Sequence, residues 1–600
     1  MRTAVDLTAT DGVGPDAATS DRAGGTSRLA WLDSVWFELA ISFVIGLVYM
    51  LILWGPGPLN PRHIEWMAID SGDYYAGWEL FRQDPHWHWP LTHTDHVGYP
   101  LGLNVALMDL NPLLAVLLKP FSPLLGEPFQ YFGVESVLVC ALQFFFSLRL
   151  FRLLLGQNRL GVWLCSLFFL TAPPLTVRLG GHFSLTNQWL LVAALLIYFR
   201  AQEDMPRAVR RFVISALILA AVAVGTNPYL GFQVLLVLTA SAVSLLWQRR
   251  LTLYNAIGFM AALFLTSVLV AYSLGFFISG GKGYVSPGYR FLAMNLLEPV
   301  SPYMFGRTVC GALLSRLVPY VQHPTTDMGN YLGAGVILLA LLLLIVFAVQ
   351  PAKRPPWEKR RMLPLLLCCV VLTLMALSTR LTVGRWIVLD VDPWQHLTRF
   401  LAPLRASDRL FWLPYYAFVM AVLAAPIRLL PRFQANVALA VVLAVQLVDI
   451  TPMRKQVHTA ATWVQPQRLT SPVWSQLGSV HENLMVLPAW QCGPYFSPGK
   501  LDGFRIFGYL AAAQKMRTNS YYAGRYPQLS RDVDCKQAIA ALSEQPLSPD
   551  SAYVVTPKLA EVIAKGPTGP GKCHEVDGFV LCSTRIDFSG GTEGNLPPGD

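Results

Sequence analysis

Runs of about 20 mostly apolar residues, the length a helix needs to cross a bilayer, recur along this 600-residue chain and constrain its fold more than any other feature. Eleven lie near 36–54, 129–148, 160–177, 185–199, 211–226, 229–247, 252–278, 330–349, 362–379, 410–427 and 434–451. At 54% hydrophobic and 14% charged residues, the chain is far from a soluble multidomain protein, in which about a quarter of residues carry charge. The net charge of +10 comes from short Arg and Lys clusters between apolar runs. Nucleic-acid binding, which needs a continuous basic face, is therefore excluded.

Those clusters set the expected orientation. RLFR (149–152), RAQEDMPRAVRR (200–211), QRR (248–250), QPAKRPPWEKRR (350–361) and PIRLLPR (426–432) follow the second, fourth, sixth, eighth and tenth runs. The positive-inside rule puts these connections and the N-terminus in the cytoplasm, and the longer acidic connections and the C-terminus outside. The segment 105–121, VALMDLNPLLAVLLKPF, is apolar enough to be counted as another span. Counting it would put RLFR and QPAKRPPWEKRR outside, and its central Asn-Pro interrupts it, so it reads as a re-entrant or interfacial helix.

The expected architecture is a disordered cytoplasmic tail (1–35), an all-α polytopic domain (36–451) with a long first outside loop (55–128), and an outside α/β domain (452–600). No cleavable signal peptide is evident, and the first span would act as an anchor. The C-terminal part has strand-length apolar runs at 483–490, 551–557 and 578–583 and a helical stretch at 532–545. Its four cysteines allow three pairings. The expected one joins Cys573 to Cys582 across a Val576-Asp577-Gly578 hairpin, and Cys492 to Cys535, as an oxidising compartment permits. No Asn-x-Ser/Thr site occurs, which favours a bacterial inner membrane.

Polar residues concentrate in the first outside loop. Its carboxylates include Asp70, Asp73, Glu79, Asp84, Asp95, Asp109 and Glu127. A carboxylate beside hydrocarbon is costly, so Asp109 within Leu-Met-Asp-Leu-Asn-Pro needs a reason. Either it caps the helix that begins at Pro112, or it takes part in chemistry or binds a metal. His63, His86, His88, His93 and His96 share this loop but lack the fixed spacing of a zinc motif. Elsewhere, Arg178, His182 and Asn187 fall in one outside connection, and Arg405, Asp408 and Arg409 in another. Arginine there suits a headgroup contact or bidentate phosphate binding.

This layout resembles the membrane glycosyltransferases of the GT-C fold, which use lipid-phosphate sugars. Asp70-Ser71-Gly72-Asp73-Tyr74 corresponds to their acidic motif after the first span, and Asn111-Pro112-Leu113-Leu114 through Phe121 to their interfacial helix. More narrowly, the chain resembles a bacterial family of GT-C-like polytopic proteins. The shared features are Gly72-Asp73, Gly77-Trp78, Phe81-Arg82, the Asp109–Pro120 segment, Phe129 to Gly133, Gly181-His182-Phe183, Asn330 to Gly333, Arg405-Ala406-Ser407, Phe411-Trp412 and Val576-Asp577-Gly578 before Cys582. The GT-C acidic motif is often two adjacent acids or Asp-x-Asp, whereas here two residues separate Asp70 from Asp73.

The resemblance implies sugar transfer from a polyprenyl-phosphate donor, entering from the bilayer, to an outside glycan or glycolipid acceptor. On that reading Asp73 is the base, with Asp70 as the other candidate, and Asp109 orients the acceptor or a metal. His182, Arg405 and Arg409 would face the phosphate. The cofactor such chemistry admits is a divalent ion, Mg or Mn. A lipid-linked glycan flippase without transferase activity is the alternative, although the acids lie in a loop rather than at mid-membrane and no internal repeat is visible.

Overall fold

The computed structural model describes residues 34–67, 72–156, 158–203, 208–277, 284–285, 289, 292–301, 308–310, 312, 329–350, 358–391, 401, 404–464, 468–493 and 495–586. The expected N-terminal tail lies outside them.

Nine helices among the described residues have the length and apolarity to cross a membrane: Val35–Trp54, Phe132–Leu155, Phe183–Arg200, Ala208–Thr226, Pro228–Trp247, Leu253–Ser273, Lys359–Leu377, Ser407–Leu429 and Arg432–Asp449. The other two expected spans are shorter than read from sequence. The run 160–177 breaks into Arg159–Leu170 and Pro173–Arg178, because the Pro173-Pro174 pair supplies no backbone N–H to continue the first helix and starts a new one. The run 330–349 yields Ala334–Val349, since Gly333 at φ 89° stands outside helical backbone. The segment 105–121 does not form one spanning helix. A turn at Val105–Leu107, the helix Pro112–Leu118 and a turn at Lys119–Phe121 divide it.

Helix Trp189–Arg200 is central, with every residue from Leu190 to Leu196 buried, as expected of a helix apolar on all sides. Val35–Trp54 packs on Phe132–Leu155, and Pro228–Trp247 on Ala208–Thr226. Peripheral helices instead present large apolar residues outward, including Ile257, Phe264 and Leu269 on Leu253–Ser273, the surface a bilayer would cover. Glu38, buried near the start of the first span, is paired with Arg149 at 2.8 Å and with Arg152, so this intramembrane charge has the partners it requires.

The C-terminal part contains a five-stranded mixed sheet. Its strand order is Cys573–Val576, Phe579–Cys582, Ser551–Val555, Asn483–Leu487, Arg517–Thr518; the last three are parallel and the first two form the hairpin. Asp577 and Gly578, at φ 50° and 77°, make the two-residue turn, a left-handed pair suited to Asp-Gly. Cys492 is bonded to Cys535 and Cys573 to Cys582. The sheet edge at Arg517–Thr518 is covered by the first loop: Gly98 N donates to Thr518 O at 2.8 Å and Thr518 N to His96 O at 2.9 Å. Helix Gly72–Gln83 of that loop packs on Gly503–Ala513. Loop and sheet domain therefore form a continuous layer over one end of the helices.

Candidate functional site

Asn111, not Asp109, caps the interfacial helix: its side chain accepts from Leu114 N at 3.2 Å, with Pro112 in the first turn. Asp109 is thereby released from a capping role. Its backbone is left-handed, at φ 57°, and its carboxylate meets a second segment whose own residue is left-handed, His182 at φ 65°. His182 Nδ1 lies 2.5 Å from Asp109 Oδ2 and 3.0 Å from the Tyr74 hydroxyl. Ser184 Oγ donates to Asp109 Oδ1 at 2.9 Å, and Asn227 Nδ2 donates to Ser184 Oγ at 2.9 Å. Burial pushes the Asp109 carboxyl up, but His182, Arg409 and the Ser184 hydroxyl outweigh it and hold the group below the usual carboxylate range.

The two strained segments share one anchor. Glu135, buried in the first turn of Phe132–Leu155, accepts from Asn111 Nδ2 at 2.7 Å and Asn187 Nδ2 at 3.1 Å. Asn111 follows Asp109 by two residues and Asn187 follows His182 by five, so this carboxyl fixes both sides of the pair. With the Nδ1 proton directed at Asp109, Nε2 becomes the basic nitrogen of His182. A carboxylate that sets an imidazole tautomer and stabilises its protonated form is a recurrent base assembly.

Asp109 and His182 line a cavity of about 110 Å³ together with Arg405, Arg409 and Arg525. Arg405 and Arg409 come from the turn before Trp412–Leu429. That turn is tied down because Ala406 N donates to the Tyr229 hydroxyl at 3.0 Å and Gln233 Nε2 to Arg409 O at 3.2 Å. The Arg409 guanidinium also lies 5.1 Å from the Tyr229 ring centre, a cation–π contact. Arg525 comes from the sheet domain, placed by the 2.9 Å bond from Gly524 N to Leu107 O. The lining residues come from the stretches 106–112, 182–184, 226–229, 405–409 and 522–525 and from Phe276. Each of these stretches includes or borders a connection that the charge pattern groups on one side.

Four residues singled out from sequence thus converge: Asp109, His182, Arg405 and Arg409. Asp73 does not line this cavity. It is 3% exposed, on the helix packed against Gly503–Ala513, within electrostatic reach of Tyr509 and Tyr526. Asp70 lies outside the described residues. Sequence reasoning missed Ser184, Asn227, Tyr229 and Arg525. Only Asn227 carried a local signal, as an Asn-Pro helix start whose side chain accepts from Tyr229 N at 2.9 Å.

No group of three His, Cys, Asp or Glu side chains among the described residues is arranged to hold a metal ion. The loop histidines are instead organised around Asp84, whose Oδ2 accepts from Thr94 Oγ1 at 2.8 Å and lies 3.1 Å from His88 Nε2, while His93 approaches Asp95 at 3.3 Å. Asp84 is held below the usual carboxylate range: burial raises it, and the His86 amide, Thr94, Lys119 and the Asp95 amide more than offset that.

A family model described as a domain of unknown function, DUF6311, matches residues 43–451, and the DUF6311 C-terminal domain matches 473–584. The chain belongs to that family. No curated protein matches it significantly. Among solved structures it is similar to the Archaeoglobus fulgidus oligosaccharyltransferase in complex with Zn and sulfate, at 12% identity and TM-score 0.37, covering 89% of this chain and 70% of that one. It is also similar to the oligosaccharyltransferase AglB of that archaeon in complex with an inhibitory peptide and a dolichol-phosphate, at 12% identity and TM-score 0.40, covering 90% and 72%.

Proposed function

We propose that this member of the DUF6311 family is a membrane glycosyltransferase that moves a sugar from a polyprenyl-phosphate donor to a glycan or glycolipid acceptor outside the cytoplasm. The observation that carries this reading is the sharing of one cavity by the Asp109–His182 pair and Arg405, Arg409 and Arg525. A base and a cluster of cations are the two requirements of the reaction. The acceptor hydroxyl oxygen forms a bond to the anomeric carbon, and the bond from that carbon to the phosphate oxygen breaks. The electron pair leaves with the polyprenyl phosphate, and the acceptor proton passes to His182 Nε2.

Asp109 would hold His182 in the required tautomer and stabilise the imidazolium that forms. The three arginines would receive the phosphate charge through planar, bidentate donors. This division exchanges the roles expected from the family resemblance, with Asp109 and His182 rather than Asp73 forming the proton-accepting group. Because the described residues offer no three-ligand metal cluster, no step is assigned to a divalent ion. The carrier's isoprenoid chain would lie along the apolar helices while its phosphate reached the cavity.

The proposed setting is the inner membrane of a bacterium, with the N-terminus and the basic connections in the cytoplasm and the sheet domain outside. The test is transfer by the purified full-length protein, in lipid nanodiscs, from radiolabelled polyprenyl-phosphate sugars to cell-envelope glycans and glycolipids. Time-dependent label in the acceptor that Asp109→Asn removes is the expected result. Movement of the donor between leaflets with no transfer to any acceptor would instead favour a flippase.

A further inference from the structure

A groove of about 580 Å³ runs between Trp189–Arg200 and Ala208–Thr226, from the Arg200 end, which lies opposite the candidate site, toward Trp189. Leu196, Ile197, Ile218 and Val222 are among its apolar walls, and Trp189, stacked on Phe146 with ring centres 5.3 Å apart, closes its far end. The near end is different in character. Arg200 and Arg211, both exposed, line it from the two helices. Among the described residues neither guanidinium has a hydrogen bond or an ion pair, and Glu203 is the one carboxylate lining the groove. Arg149 also lies within electrostatic reach of Arg200 but is engaged by Glu38 at 2.8 Å.

The dimensions match half a bilayer. From Arg200 to Trp189 the helix rises about 16 Å, against roughly 30 Å for a full hydrocarbon core. Two arginines at the level where a span ends, above a furrow one leaflet deep, match a lipid with an anionic headgroup in both charge and shape. A zwitterionic lipid would fill the furrow but would leave the rim, two arginines against the single Glu203, with a net positive charge.

We infer that this groove is a binding site for an anionic glycerophospholipid, its headgroup on Arg200 and Arg211 and an acyl chain between the two helices. The site is separate from the cavity at Asp109, and its occupant differs from the proposed sugar carrier, whose phosphate belongs at the other end of the helices.

The purified full-length protein in maltoside is supplemented with dioleoyl phosphatidylglycerol, dioleoyl phosphatidylcholine or farnesyl phosphate, and thermal unfolding and lipid retention in native mass spectrometry are followed. Phosphatidylglycerol should raise the midpoint by several degrees and remain bound, and phosphatidylcholine should do neither; farnesyl phosphate, which the cavity at Asp109 would take, should respond identically in the parent and in the groove variants. The double variant Arg200→Gln/Arg211→Gln should lose the phosphatidylglycerol response. Ser215→Trp, which fills the groove with both arginines present, should lose retention as well, and it decides the matter if the double variant does not fold. Equal stabilisation by phosphatidylglycerol and phosphatidylcholine, an unchanged phosphatidylglycerol response in either variant, or retention of farnesyl phosphate that the groove variants abolish would overturn the assignment.

Discussion

Asp109 and His182 face each other from two left-handed backbone positions, with Asp109 Oδ2 2.5 Å from His182 Nδ1. Such conformations cost about 1–3 kcal/mol each for residues other than glycine, and here neighbouring bonds over-determine both. Asparagine tolerates this backbone region better than most residues. His182→Asn should therefore fold and retain a polar contact with Asp109 while lacking the basic Nε2. The expected loss of transfer is about 10²-fold or more, measured beside an unchanged thermal unfolding midpoint. Near-parental transfer by the folded variant would remove His182 from the reaction.

The arginines lend themselves to a test of geometry rather than of charge alone. Arg409→Ala and Arg525→Ala should each lower kcat/KM for the lipid-phosphate donor by about 10²-fold. Lysine at either position should restore little of this, because a point charge does not reproduce the guanidinium fork. The Arg525 result bears on the sheet domain as a whole. Full activity of Arg525→Ala would reduce that domain to a cover.

The proposed orientation rests on the basic connections. A reporter active only outside the cytoplasm should be active when fused after Trp463 and silent after Arg250. With free thiols blocked under non-reducing conditions, peptide mapping should also recover the Cys492–Cys535 and Cys573–Cys582 links that the structure contains. The opposite reporter pattern, or four alkylated cysteines, would invert the assignment.

Beside the first of those links, Asp534 is buried and accepts from Gln491 Nε2, and burial pushes its carboxyl up to about 7. A carboxyl raised above its unfolded value stabilises the fold below the ordinary carboxylate pKa, and that contribution is lost as pH rises through about 7. Asp534→Asn, uncharged at every pH and still able to accept from Gln491, should accordingly be the more stable protein at pH 8. Its advantage should vanish near pH 4. Hydrogen exchange of peptides covering 528–545 in the full-length protein measures this, and the sign would be contradicted by a variant that exchanges faster at pH 8.

Much of this arrangement was legible in the sequence, for identifiable reasons. Asp109 stood out because a carboxylate among Leu, Met and Pro is expensive, and His182, Arg405 and Arg409 because they cluster at span ends. That Asp109 does not cap the helix was not legible: Asp109 and Asn111 are both good caps, and only the three-dimensional path of the turn decides that Asn111 takes the cap. The break at Pro173-Pro174 was written in the proline pair and was overridden by counting apolar residues. Arg525 had no local signature at all. It reaches the cavity because Gly524 bonds to Leu107, more than 400 positions away, a pairing that no periodicity encodes.

The most direct measurement compares Asp109→Asn with Asp73→Asn in the same transfer assay, each purified and shown to fold. Both changes preserve size and remove a negative charge. The account predicts that Asp109→Asn loses about 10²- to 10⁴-fold in rate, because His182 is left without the carboxylate that orients and charges it, while Asp73→Asn loses no more than about tenfold. Normal turnover by Asp109→Asn, with activity abolished in Asp73→Asn, would contradict it and return the base to the acidic motif beside the first span.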